Sequence, residues 1–411
     1  MEIYTVGGAI RDGLLGLPVQ DRDFVVVGAT PEMMVEQGYL PVGKDFPVFL
    51  HPQTHDEYAL ARTERKSAPG YKGFIVHSAP DVTLVEDLGR RDFTVNAIAQ
   101  SESGEYIDPY HGRVDLDKRV FRHVSAAFAE DPVRILRAAR FMARFTDFSI
   151  APETMDLMRR MVDAGEVDHL VAERVWQELA RGLMEQRPAR MFDTLRECGA
   201  LARLMPEVDA LFGVPQSAQY HPEIDTGVHT LMALDYAARA QFDLPVRFAT
   251  LSHDLGKAAT PPELWPDHPG HEERGVALVK QLCGRLRVPG ECRDLAIITA
   301  RYHGEIHRIK QLSPSALVDL FEALDAFRRP QRLDNILLAC LADARGRPGY
   351  EAVAYAPSEY MRCMLHNAQR IDVAEIVAAS SRSDDIGRRI REARIAALVQ
   401  AGDEDKQEGA N

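Results

Sequence analysis

The sequence predicts a multidomain, mostly helical chain. An α/β head on a mixed sheet comes first, followed by an all-α neck and body and then a further all-α domain. Three observations carry this. At 411 residues the chain is too long for one hydrophobic core and fits two to four domains. β-branched and alternating apolar runs crowd the first hundred-odd residues. From about Ala126 the apolar residues recur instead at spacings of three and four. The expected divisions are a head or palm over 1–125, a neck and body over 126–215, a second helical domain over 225–350, and closing helices with a polar tail over 351–411.

In chain order, EIYTVGGAIRDGLLG reads as a strand, a glycine turn and a helix. RDFVVVG is a buried strand by its β-branched run. TPEMMVEQGY opens with Thr-Pro and reads as a helix. FPVFLHP and DEYALAR alternate like paired strands. TERKSAPGYKGF is a polar loop that, with Arg62 before it, carries Arg65, Lys66 and Lys72; a solvated hairpin tip and a phosphate-facing loop are both open readings. EDPVRILRAARFMARF, PETMDLMRRMV, VAERVWQELARGLME and PARMFDTLRECGALARL are amphipathic helices. PEVDALFGVPQSAQYHPEIDTG is irregular and marks a boundary near 210–225. A second helical block runs from VHTLMALDYAARA to about residue 395. The polar tail AGDEDKQEGAN is expected to be disordered. There is no internal repeat.

Bulk properties bound the setting. Hydrophobic residues make up 45% and charged residues 27%, ordinary values for a globular protein. No apolar run approaches the roughly 20 residues that span a membrane, and no leader pattern opens the chain. Cys198, Cys283, Cys292, Cys340 and Cys363 form no CxxC, which fits reduced thiols and a cytoplasmic location. The net charge of −13 argues against a nucleic-acid partner if taken alone. The arginines are clustered, however, at Arg90-Arg91, at Arg134, Arg137, Arg140 and Arg144, at Arg159-Arg160 and at Arg328-Arg329. An acidic chain can still carry a basic groove.

Four amino-terminal motifs carry chemistry. Gly7-Gly8 at a strand-to-helix turn lets backbone approach phosphate oxygens. Asp21 and Asp23, two residues apart at a strand, share a face and can hold the same divalent cations, the arrangement that runs in-line nucleotidyl transfer. LGRRDFTVNAIA supplies Arg91, Asp92 and Asn96 at the polar end of a packed segment. In AEDPVRILRAARF, a helix from Glu130 would set Asp131, Arg134 and Arg137 on one face with Arg140 and Arg144 following. Only Glu130 and Asp131 are acids in register, too few to neutralise four arginines, so the stripe reads as an anion site.

In this order the motifs resemble the class II tRNA nucleotidyltransferases, the CCA-adding enzymes and bacterial poly(A) polymerases, over roughly residues 1–210. The resemblance implies a nucleotidyltransferase head on a helical neck and body. It implies that Asp21 and Asp23 bind Mg²⁺ and activate an RNA 3′-hydroxyl. It gives Gly8, Arg11, Arg91, Asp92 and Asn96 to the incoming nucleotide. Asp131 and Arg134 would read the base edge of CTP or ATP, with Arg137 and Arg140 nearby, and the segment Arg62 to Lys72 matches the family's flexible loop.

Further on, His229 in VHTLMALDYAA and His253-Asp254 in LSHDLGK lie on apolar helical stretches. Imidazoles and carboxylates on packed helices make a mixed nitrogen and oxygen site for a divalent transition metal. Asp343 is the expected fourth ligand, with Asp325 the alternative, His271 and His303 extra ligands, and Lys257 placed for phosphate. The pattern resembles the HD phosphohydrolase superfamily. Behind a class II head it is similar to the HD-bearing CCA-adding enzymes of many Gram-negative bacteria. That resemblance implies 2′,3′-cyclic phosphodiesterase, 2′-nucleotidase and phosphatase activities, a metal such as Ni²⁺, tRNA, ATP and CTP as partners, no membrane, and a monomer or homodimer. A poly(A) polymerase, a partial CCA-adding enzyme, an HD-centred phosphohydrolase and a non-catalytic RNA-binding protein are the rival readings. The acidic tail favours the CCA-adding class over poly(A) polymerases.

Overall fold

The computed structural model describes the chain except for residues 20, 43–47, 67–73, 220, 380–382 and 409–411. It divides into two compact units, residues 1–182 with 190–204 and residues 183–189 with 205–411.

The first unit begins with β1 (Glu2–Val6), α1 (Gly8–Leu14), β2 (Asp23–Val27), α2 (Pro31–Glu36), β3 (Leu40–Pro41), β4 (Val48–Leu50) and β5 (Glu57–Leu60). The hairpin β6 (Thr63–Lys66) and β7 (Phe74–His77) follows, then α3 (Leu84–Gly89), β8 (Ala99–Ser101) and β9 (Tyr106–Ile107). Seven strands form one mixed sheet in the order β3-β4-β5-β2-β1-β8-β9. β2 runs antiparallel to β1 and parallel to β5.

The apolar run after Asp23 has a direct cause. Val25 packs with Val6, Leu84 and Leu88 on one face of the sheet, while Val26 packs with Met34, Phe49 and Leu60 on the other. A strand covered on both faces reads as continuous hydrophobe rather than alternation. Asp23 heads this central strand opposite Val6 and Glu57, so a rigid element presents it. Local signals set the flanking helices. Thr30 caps α2 ahead of Pro31, and Thr83 and Glu86 close a capping box on α3.

The unit continues through α4 (Gly112–Asp117), β10 (Val120–Phe121), α5 (Val133–Arg144), β11 (Ser149–Ile150) and α6 (Pro152–Asp163) to α7 (Ala172–Leu183), α8 (Ala189–Glu197) and α9 (Ala200–Leu204). Rings of Phe93, Phe121, Phe128, Phe141, Phe145 and Phe148 pack on one another and anchor α5. Asp131 departs from expectation: it is extended (φ −119°, ψ 102°), and α5 begins only at Val133. The following Pro132 pushes Asp131 out of the helical region.

The second unit holds α10 (Pro206–Asp209), α11 (Thr226–Arg239), α12 (Leu244–Ser252), α13 (His271–Leu286), α14 (Gly290–His307), α15 (Pro314–Ala323) and α16 (Pro330–Arg345). It closes with α17 (Ala356–Gln369), α18 (Val373–Ala378) and α19 (Ser383–Glu408). α11, α12, α14 and α16 pack on one another, α13 lies on α14, and α19 lies on α15 and α17. The tail is a correction, because its backbone stays helical to Glu408. A helix already nucleated by packing extends cheaply through Glu, Asp, Lys and Gln. No helix among the described residues is long and apolar enough to cross a membrane.

Candidate active site and metal centre

A cleft of about 790 Å³ in the first unit gathers residues from α1, β2, α5 and α7 and from the turns that follow β1 and α3. Asp21, Asp23, Gly8, Arg11, Arg91, Asp92, Asn96, Asp131, Arg134, Arg137 and Arg140 all line it. Ten arginines face six carboxylates there, on a chain whose net charge is −13. Gly7 makes the entrance tight. Its φ is +73°, and a Cβ on it would sit 2.9 Å from Arg91 Nη1, so glycine is what lets backbone, Arg91 and Asp23 crowd together. Partial burial raises the Asp23 carboxyl above its ordinary value; Arg91 pulls it back, and Asp21 adds to the rise. Two acids that resist being charged together are what divalent cations relieve.

The arginines are not free, which the helix-face argument had not foreseen. Their counter-charges arrive from other elements. Arg137 Nη2 meets Asp92 Oδ2 at 2.7 Å, Arg140 Nε meets Glu178 at 2.6 Å, and Arg144 meets Asp12 at 2.7 Å. Arg11 donates to Asp12 at 2.8 Å and to Asn96 at 2.7 Å, and Asn96 donates to Asp92 at 2.8 Å. One continuous chain therefore runs Arg144–Asp12–Arg11–Asn96–Asp92–Arg137. Arg11 is buried, with its guanidinium over Phe141 and Phe145, so it braces the cleft from behind. Burial pushes the Asp92 carboxyl up, but Arg137, Asn96 and Arg134 outweigh it and hold it well below the usual carboxylate range.

Asp131 is gripped by Arg174 at 3.1 and 2.7 Å, and Arg134 donates to the carbonyls of Ala127 and Arg90 at 2.8 and 2.6 Å. The sequence offers Asp12 within its Gly-Gly-x-x-Arg-Asp motif without showing its role, and sequence reasoning passed over Arg174, Gln177, Glu178 and Arg181. The last four recur at helical spacing in VAERVWQELARGLME, a polar stripe that could have been read. Of the expected mobile loop, Arg62 lines the cleft; Lys72 and the side chains of Arg65 and Lys66 lie outside the described residues.

The second unit converges buried imidazoles and carboxylates. His229 on α11, His253 at the end of α12 and Asp343 on α16 form one triad; Asp254, His271 and His303 form an adjacent one. Asp343 faces His229 at 2.9 Å, whereas Asp325 pairs with Arg328 and Arg329 elsewhere. Gly256 is what allows this closeness: a Cβ on it would run into the His271 carbonyl oxygen.

The ring nitrogens are oriented for metal. Nδ1 lies against a backbone carbonyl in three of the rings: His253 on Thr250 at 2.7 Å, His271 on His268 at 2.9 Å and His303 on Thr299 at 3.0 Å. That fixes a tautomer whose Nε2 lone pair points inward. His253 Nε2 then faces Asp254 at 3.2 Å and Asp343 at 3.8 Å without a hydrogen bond, and Asp254 Oδ1 is equally unpartnered. Burial works against a charged His253, yet Asp254 and Asp343 hold it up to about 9. Unpartnered lone pairs in a buried pocket that favours positive charge fit a divalent cation.

Lys257 binds Asp254 at 2.6 Å and Gln216 at 2.8 Å. The stretch read as an interdomain boundary turns out to wall this centre. It brings in Gln216, His221 and Glu223, with Glu223 2.8 Å from His229 Nδ1. Burial raises the Glu223 carboxyl, but His221 and His229 outweigh it and pull it down to about 2. His307 joins from α14, 2.6 Å from Asp343 and 2.9 Å from the Tyr355 hydroxyl.

Known proteins match along the whole chain. The Poly A polymerase head domain matches residues 3–122, the probable RNA- and SrmB-binding site of polymerase A matches 147–212, and the HD domain matches 226–380. The Multifunctional CCA protein of Dechloromonas aromatica is 62% identical over 400 residues, 97% of both chains. That of Burkholderia multivorans is 62% identical over 408 residues, 98% of this chain and 99% of its own. Among solved structures, the Thermotoga maritima CCA-adding enzyme complexed with tRNA-CCA aligns with a TM-score of 0.64 at 20% identity, over 97% of this chain and 87% of that one. A CCA-adding enzyme in complex with ATP aligns at 0.66 and 19% identity, over 97% and 86%.

Proposed function

Because the chain belongs to the multifunctional CCA protein family, we propose that its head adds C, C and A to the 3′ end of tRNA from CTP and ATP, without a nucleic-acid template, through the cleft around Asp21 and Asp23. One observation carries this: Asp23 at the head of a rigid central strand, with Asp21 just before it, shares a single cleft with ten arginines, of which Arg11, Arg137 and Arg144 are tied into one hydrogen-bonded network through Asp12, Asn96 and Asp92. Asp21 and Asp23 are suited to hold Mg²⁺. When bound there, the ions would activate the 3′-hydroxyl and offset charge on the leaving pyrophosphate. Arg91, beside Gly7, meets the triphosphate, and Arg11 with Asn96 and Asp92 keeps the wall rigid. Asp131 and Arg134 would supply the acceptor and donor groups that cytosine and adenine pair with, in addition to the bonds they make to Arg174 and to the Ala127 and Arg90 carbonyls. Wrong bases leave polar groups unpaired at about 1–3 kcal/mol each.

The second unit is read as a divalent-cation phosphohydrolase, with His229, His253, Asp254 and Asp343 as ligands and His271 and His303 completing an adjacent set. Its suggested work is hydrolysis at 2′,3′-cyclic and 2′-phosphate ends of tRNA: one water would break the phosphorus–O3′ bond of the cyclic end, freeing the 3′-hydroxyl that the head extends and leaving a 2′-phosphate, and a second would release that group as inorganic phosphate and restore the 2′-hydroxyl. Lys257 lies where a phosphate oxygen would approach.

The test of the head is a tRNA lacking its CCA end, incubated with CTP and ATP. The wild type should append CCA, and Asp23→Ala should lose at least about 10³-fold in rate. A product of adenosine alone, or an active Asp23→Ala, contradicts the assignment.

A further inference from the structure

His229 differs from the other imidazoles of its centre in what stands behind it. His253, His271 and His303 each turn Nδ1 to a neutral backbone carbonyl. His229 is fully buried, turns Nε2 to Asp343 at 2.9 Å, and has Nδ1 2.8 Å from Glu223 Oε1, short though off the line of an ideal hydrogen bond. The Glu223 side chain is only 3% exposed. It does not belong to the helical core but to the loop before α11, which the Pro215–Asp225 bridge ties down and the Asp225 cap joins to the helix. Oε1 also lies 3.1 Å from His221 Nδ1, and the His221 and His229 rings meet edge to face at 4.6 Å. A carboxylate is costly to bury unless a particular charge or donor requires it.

We propose that Glu223 is a positioning residue of the metal centre: its carboxylate accepts from the Nδ1–H of His229, fixes the tautomer that aims Nε2 at the cation, and makes that ring the most basic imidazole ligand of the set. A charged acceptor behind a ligating imidazole strengthens it more than a carbonyl does. His221, Glu223 and His229 lie close enough to hold an ion of their own. His229, however, has one lone pair to give, and its Nε2 already faces the set with His253 and Asp343. Glu223 therefore acts through His229. The proposal rests on reading this centre as a divalent-cation site.

The test is Co²⁺ titrated into the metal-stripped full-length protein, following the visible absorption that disappears in His253→Ala together with chelator competition. Glu223→Ala should weaken this binding about 10–100-fold, with unchanged stoichiometry and unchanged far-UV circular dichroism. Glu223→Gln keeps an acceptor without the charge and should fall between the two, with the absorption band displaced. Wild-type affinity in both variants overturns the proposal. Loss of one bound ion in both Glu223→Ala and His221→Ala also overturns it, making Glu223 a ligand. A wild type without the absorption band overturns the cation reading beneath it, which is a separate failure.

Discussion

Asp92 shows how a single carboxylate holds the head's site together. It accepts from Arg137, Asn96 and its neighbour's backbone at Phe93, and through Asn96 it is linked to Arg11 and Asp12. Its folded pKa lies below the unfolded value of about 3.9. The stabilisation is therefore complete above that value and is lost as pH falls through the folded one. Asp92→Asn should cost on the order of 2 kcal/mol at neutral pH, and urea unfolding should show this gap steady from pH 8 to about 5 and closing below about pH 4. A gap that persists unchanged at pH 3 would show that the charge of Asp92 is not the cause. At this scale the sequence was legible in part. Gly-Gly, Asp-x-Asp, Arg-Arg-Asp and Asp-x-x-Arg each name a residue type needed near phosphate, and all of them line one cleft. The partners were illegible, since Glu178 and Asp12 reach α5 from 38 and 132 residues away, and a helix-face count sees only neighbours.

Among elements, those with their own physical signature were readable, and those defined by what they pack against were not. β2 was visible because burial on both faces demands an unbroken apolar run, and α2 because Thr-Pro starts a helix. The loop from Pro215 to Asp225 looked like a linker because it has no period, yet its side chains wall the metal centre. His221 and Glu223, two residues apart and just ahead of His229, were the available clue. His307, four residues after His303 on α14, was another. Gly256 tests the packing of the centre. Ala there must push α13 off the turn after α12 and separate Asp254 from His271. Gly256→Ala should reduce transition-metal binding at least about tenfold while CCA addition by the head persists, checked by equilibrium dialysis and primer extension. Unchanged metal binding would mean that the close approach is incidental.

At the scale of the molecule, acidic composition and RNA chemistry are compatible because charge is sorted: ten arginines meet six carboxylates in one cleft, while acidic residues outnumber basic ones over the rest of the chain. Net charge alone had pointed away from nucleic acid, and clustering of arginine was the better guide. The two candidate sites lie in different compact units and offer different donor sets, oxygen at Asp21 and Asp23 and mixed nitrogen and oxygen at the helical centre. The chemistry proposed for them is complementary, since CCA addition requires a free 3′-hydroxyl and hydrolysis of a cyclic phosphate in the second unit would produce one. The direct measurement is extension of a tRNA that stops before CCA in a 2′,3′-cyclic phosphate, supplied with CTP and ATP. The wild type should open the end and append CCA. His253→Ala should leave that end blocked yet extend the same tRNA bearing free hydroxyls, and Asp23→Ala should open the phosphate and add nothing. Wild-type extension of the blocked tRNA by His253→Ala would contradict the account.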